Sequence, residues 1–177
     1  MKKLLIFTVT AAMLLSLAAC TQSAKPDVQP EQPKQEETIS DNTQIPNPWT
    51  NYASAAEAAQ AAGFDLTAPD EISGVSEKRY QVMNSEDGDV IFEIDYVSGE
   101  ERAAYVRKAP GADDVSGDYN NYAETETVSI GSRSVTMKGE DALVKLAVWT
   151  DGDYSYALNV TAGLSQDAMA ALVAEIQ

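Results

Sequence analysis

Most of the side chains able to do acid–base or coordination chemistry in this 177-residue chain are carboxylates. It carries 28 acidic residues against 12 basic ones, a single cysteine and no histidine. The missing imidazole excludes Ser-His-Asp and Cys-His catalysis, and zinc sites built on histidine. Paired-carboxylate chemistry, a Ser-Lys arrangement and an oxygen-ligand metal site remain open. Glu93 and Asp95 lie two apart on one apolar run, so they share a face and could form a carboxylate pair, although that face reads as solvated. Glu86-Asp87-Gly88-Asp89 and Asp151-Gly152-Asp153 place carboxylates on turns. Neither has the twelve-residue spacing or the closing Glu of a calcium loop, so both read as hairpin turns. Asp113, Asp114 and Asp118 share the longest polar loop with Tyr119 and Tyr122. Asp118, Tyr119, Asn120 and Tyr122 are the candidate binding residues, because Tyr and Asn on an exposed loop suit contact with carbohydrate or peptide. No residue is assigned to catalysis, a cofactor or a metal. The formal charge of −16 argues against nucleic acid as a partner, since phosphate contacts need clustered Lys and Arg.

These residues need elements to position them. Ser54-Ala55-Ala56-Glu57 is a capping box, an Ala-rich helix follows to Ala62, and Gly63 supplies a left-handed stop. Phe64 and Leu66 then enter the core. Strand-like runs follow, separated by turn dipeptides. Residues 78–84 lead to a two-residue turn at Asp87-Gly88. In residues 90–97, Val90, Phe92, Ile94 and Tyr96 alternate with Glu93 and Asp95. Ser98-Gly99 turns the chain into residues 102–108, and a polar loop from Pro110 to Asn121 interrupts the series. Strands resume at 125–130, 134–138, 143–149 and 154–160. A two-residue turn at Asp151-Gly152 would set Trp149 opposite Tyr154 and Ala147 opposite Tyr156. Both faces of that hairpin are apolar, which predicts a central position covered on two sides. Ser165 caps a closing helix whose stripe is Met169, Leu172, Val173 and Ile176. The pattern predicts an α+β fold: a single antiparallel sheet of six or seven strands, a hairpin meander, with an N-terminal and a C-terminal helix packed on it.

The first residues have a different composition. Lys2 and Lys3 precede an uncharged, mostly apolar run from Leu4 to Leu17, then Ala18, Ala19 and Cys20. The run is shorter than the roughly 20 apolar residues of a membrane span. Leu17-Ala18-Ala19-Cys20 resembles a lipobox, the site where a bacterial prelipoprotein is lipidated on cysteine and cleaved before it. That resemblance implies a signal peptide over 1–19 and a membrane partner reached through lipid on Cys20. Removing Lys2 and Lys3 would take the formal charge from −16 to −18. Residues 20–46 then carry Cys20 and a Pro- and Gln-rich tether without aromatics, too poor in apolar surface to order itself. As a flexible coil it would span roughly 30 Å.

Residues 47–177 resemble a domain of unknown function that recurs in Gram-positive surface lipoproteins and in the extracellular ends of anti-sigma-factor-like proteins. The resemblance rests on Asn47-Pro48-Trp49, Gly63-Phe64, Arg107-Lys108-Ala109, Ser116 to Asn120, the hairpin Trp149 to Tyr156 and the closing helix. It implies an α+β fold and an envelope location, and it brings no catalytic residues. The chain therefore reads as a lipid-anchored extracytoplasmic lipoprotein whose domain is a non-catalytic module, binding an envelope protein or glycan. An accessory or sensory subunit of an envelope complex is the alternative, and a carboxylate-dependent hydrolase of wall or sugar substrates comes third.

Overall fold

The computed structural model describes residues 47–85 and 88–177; the expected signal segment, Cys20, the expected tether, and Glu86 and Asp87 lie outside the described residues. The chain forms β1 (Trp49–Tyr52), α1 (Ala55–Ala62), β2 (Lys78–Asn84), β3 (Val90–Ser98), β4 (Glu101–Pro110), β5 (Glu124–Ile130), β6 (Arg133–Glu140), β7 (Leu143–Asp151), β8 (Tyr154–Leu164) and α2 (Gln166–Glu175). All eight strands belong to one sheet in the order β1-β2-β3-β4-β8-β7-β6-β5, with every neighbouring pair antiparallel. The α+β fold is as expected, but the sheet has eight strands, not six or seven. The additional one is β1, four residues long and paired only with β2. Four residues are too few to display a two-residue period, which is why Trp49 read as the opening of the domain.

Nor is the sheet one continuous meander. Two four-stranded meanders, β1 to β4 and β5 to β8, meet where β4 pairs with β8. The link between them must leave the middle of the sheet and reach its far edge, so residues 111–123 cross one face. Both helices cover the other. Phe92, Ile94 and Tyr96 of β3, Ala104 and Val106 of β4, and Tyr156, Leu158 and Val160 of β8 face that side. They pack with Ala58 of α1 and with Met169, Val173 and Ile176 of the C-terminal segment. Burying this apolar surface is the main driving force, at roughly 25 cal/mol per Å².

Local chemistry sets the ends of the elements. Ser54 caps α1 in an extended conformation, its hydroxyl accepting from the Glu57 N–H at 3.2 Å. Glu57 returns a carboxylate to the N–H of Ala53, one residue before the expected partner. Gly63 closes α1 at φ 85°, a conformation that costs glycine nothing. Ser85 N–H donates to the Asp89 carbonyl at 2.9 Å, and Glu86 and Asp87 of the turn expected there lie outside the described residues. Two other turns differ from expectation. In the last hairpin Asp151 pairs with Tyr154, so Gly152 and Asp153 are the turn and Trp149 faces Tyr156, not Tyr154. A shift of two keeps each side chain on its face, and the Trp149 and Tyr156 rings stack 5.3 Å apart. Gly139 and Glu140, expected to lead into the next strand, still belong to β6, and Asp141 and Ala142 make that turn with positive φ.

Helix α2 has no basic residue in its last turn. Arg133 of β6 supplies the charge from the sheet. Its Nη1 donates to the carbonyls of Val173 at 3.0 Å and Ile176 at 2.9 Å, while Nε pairs with Asp151 at 2.7 Å. A guanidinium here satisfies orphan carbonyls and complements the negative end of the helix. Arg133→Met should destabilise the domain by about 1.5–3 kcal/mol, the worth of hydrogen bonds to a charged group. Urea unfolding should show a lower midpoint at unchanged slope.

Candidate functional site: the crossover and the face beneath it

Glu93 and Asp95 do not lie on a solvated face. They are 2% and 3% exposed, because the crossover and its neighbours cover that side of the sheet. Buried carboxylates need partners. Arg107, directly opposite Glu93 on the neighbouring strand β4, donates through Nε to its Oε2 at 2.5 Å. Arg102 places Nη1 3.3 Å from Asp95 and 3.6 Å from Glu93, and Gln81 donates to Asp95 at 2.7 Å. The Arg107 guanidinium also lies 5.0 Å from the Trp49 ring and 4.6 Å from the Tyr105 ring. Burial pushes the Glu93 carboxyl above its ordinary 4.5, against the opposing pull of Arg107.

The same guanidinium holds the crossover down. Arg107 Nη1 donates to the carbonyl of Ser116 at 2.6 Å and of Val115 at 3.3 Å, and the Tyr105 hydroxyl donates to Ser116 at 2.8 Å. The segment is stiff along its own length. Asp114 accepts from the N–H of Ser116, Ser116 from that of Asp118, and Asp118 from that of Asn120. Short polar side chains capping the backbone two residues on are the usual basis of such turns. Gly117 is at φ 62°, and a Cβ there would lie 2.5 Å from Arg107 Nη1.

Of the four residues singled out from the sequence, Asp118 and Tyr122 serve the loop itself. Tyr122 donates to Asp118 Oδ2 at 2.5 Å, and Asn159 of β8 donates to the same oxygen at 3.3 Å. Burial alone would raise the Asp118 carboxyl, but the bonds from Tyr122 and Asn120 outweigh it and hold the group below 3.8. Burial and the bond to Asp118 push the Tyr122 phenol up to about 12. Tyr119 is different: the residue is 94% exposed. Asn120 beside it is exposed as well. The fold brings Arg102, Tyr105 and Asn159 to these two, around a recess of about 250 Å³ that Gly117 and Asp118 complete. Tyr122 does not line it.

Arg102 and Asn159 escaped sequence reading because they lie 57 positions apart and meet only when β4 pairs with β8. One signal was available: Asn159 interrupts the apolar run Tyr156-Ala157-Leu158 in a central strand.

The chain matches no protein-family model, no curated protein and no solved structure. Its chemistry is read from geometry alone. The recess offers amides, a guanidinium and a phenol ring, groups that hold a polar ligand by hydrogen bonds and stacking. Of the two acidic turns, Asp151 is paired with Arg133, while Glu86 and Asp87 lie outside the described residues. Among the described residues no three acidic, histidine or cysteine side chains are grouped to hold a metal ion, and no helix is long and apolar enough to cross a membrane. Lys108, next to Arg107, points to the opposite face. Its ammonium lies 4.5 Å from the Tyr154 ring and donates to the Asp65 carbonyl at 2.7 Å, and burial lowers its pKa.

Two outcomes are expected. Gly117→Ala should destabilise the domain by about 1–3 kcal/mol, from a left-handed non-glycine residue and the contact with Arg107. Amide exchange should localise the loosening to residues 115–120. A carboxyl raised on folding binds its proton more tightly in the native state than in the unfolded one. Its contribution to stability is therefore full below 4.5 and is lost as pH rises through the raised value. The stability difference between wild type and Glu93→Gln, measured by urea unfolding across pH 4 to 8, should shift against wild type through that window and level off above it.

Proposed function

We propose that this protein is a lipid-anchored extracytoplasmic lipoprotein whose α+β domain is a non-catalytic binding module, with the crossover as its contact surface. The observation that carries the second half is Tyr119. A tyrosine 94% exposed gains nothing for the fold, while the segment that presents it is tied to the sheet by Arg107, Tyr105 and Asn159. An aromatic presented in water from a tied segment is suited to contact, because little backbone motion is lost when a partner arrives. The carboxylates that would serve a hydrolase, Glu93 and Asp95, are engaged with Arg107 and Arg102 beneath the crossover. Neither is presented to a cleft, which weighs against the hydrolase reading.

The first half rests on Leu17-Ala18-Ala19-Cys20 and the apolar run before it. A diacylglyceryl group on Cys20 would supply two chains, and two signals are what stable anchoring takes. The resemblance of residues 47–177 to a domain recurrent in Gram-positive surface lipoproteins points to the same location. A strongly acidic domain without a basic patch would have no other hold on an anionic membrane.

Detergent-phase partitioning with mass spectrometry of the mature N-terminus tests the anchor. Wild type should partition with detergent and begin at a lipidated Cys20, and Cys20→Ala should leave the precursor uncleaved or released into the aqueous phase. An unmodified N-terminus at another residue would refute the anchor. For the domain, a photo-crosslinker at position 119 in cells should capture a partner, and one at Gln60 on α1 should not.

A further inference from the structure

We propose that the recess between Arg102, Asn159, Asn120 and Tyr119 takes a neutral pyranose unit of an envelope glycan. This deepens the binding-module reading and rests on it. Three features of the site select that chemistry.

The first is the ring. Pyranoses present an apolar C–H face and a belt of hydroxyls, so they are held by a flat aromatic surface with planar polar groups beside it. Tyr119 supplies the surface at 94% exposure. Asn120, Asn159 and Arg102 supply two amides and a guanidinium around the same recess. Asn159 is oriented by its Nδ2 bond to Asp118, which leaves Oδ1 as an acceptor. Both carboxylate contacts of Arg102 run through Nη1, and its side chain is 44% exposed, so donors on Nη2 remain for a ligand hydroxyl.

The second is charge, which decides between a neutral and an anionic ligand. Arg102 and Asp118 are the charged groups of the lining, Arg107 is paired with Glu93 beneath it, and Lys138 acts on Asp118 from β6. The site therefore brings no net positive charge, on a chain whose formal charge is −16. A uronate or phosphate would enter against that field, and a neutral sugar would not.

The third is size. A recess of about 250 Å³ lies below the ~300 Å³ from which pockets enclosing drug-sized ligands start. One ring fits against it, with the rest of a glycan extending into solvent past Tyr119.

The test uses the processed chain purified in detergent. Retention is measured on N-acetylglucosamine oligomers, cello-oligosaccharides and polygalacturonate. Binding to at least one neutral oligomer is expected, in preference to polygalacturonate. Tyr119→Ala should weaken it by about tenfold or more, and Tyr119→Phe, which keeps the ring, by less than about threefold. Circular dichroism should be unchanged in both, since the side chain is exposed. Tighter binding of polygalacturonate, equal binding by Tyr119→Ala, or no retention on any of the three would overturn the proposal. If the crosslinker at position 119 captures a protein in cells while every glycan fails, the glycan is refuted and the binding-module reading stands. If it captures nothing and every glycan fails, both fall.

Discussion

Arg107 is the interaction on which this architecture depends. A guanidinium largely withdrawn from water must be neutralised and its donors must be filled. Glu93 does the first, and the carbonyls of Val115 and Ser116 do most of the second. One side chain therefore joins strand β3, strand β4 and the crossover. Gly117 has no room for a Cβ because the same guanidinium occupies that space. The next residue, Lys108, reaches the other face and ties β4 to the segment after α1 through Asp65. The alternation of a strand thus lets two adjacent cations clamp the two layers that cover the sheet.

The need for such a clamp follows from topology. Because β4 lies at the centre of the sheet and β5 at its edge, the connection cannot be a tight turn. It must lie over polar side chains on the face away from the helices. A segment of that kind has few apolar contacts to hold it, so hydrogen bonds do the work: Tyr105 to Ser116, Arg107 to Ser116, Asn159 to Asp118. Covering the face also explains why Glu93 and Asp95 are buried and paired instead of solvated. The surface left after this is the outer side of the crossover, and Tyr119 is what it presents.

Several residues far apart in the chain meet around Arg107 and Lys108. Trp49 lies beside Arg107, Gly117 packs against it, and Phe64 shares the surroundings of Lys108 with Tyr154 and Tyr156. These residues are the neighbours of two cations withdrawn from solvent, Arg107 largely and Lys108 almost wholly.

Much of the fold could be read from residue order because its causes are local. Ser54 and Ser165 cap their helices, Gly63 stops the first, and seven of the eight strands show an alternation or an apolar run between turn residues. The turn of the last hairpin was misplaced by one residue because Asp151-Gly152 and Gly152-Asp153 are both competent turn pairs, and only the register with β4 and β7 selects between them. The short strand β1, the crossover's path and the burial of Glu93 and Asp95 could not be read at all. Each depends on which strands become neighbours, a choice made by the whole sheet. For the site, the sequence alone determined that Tyr119 and Asn120 sit on a long polar loop. Tertiary structure decided that Asp118 and Tyr122 serve the loop and that Arg102 and Asn159 complete the recess, because residues distant in the chain share a surface only once β4 and β8 pair.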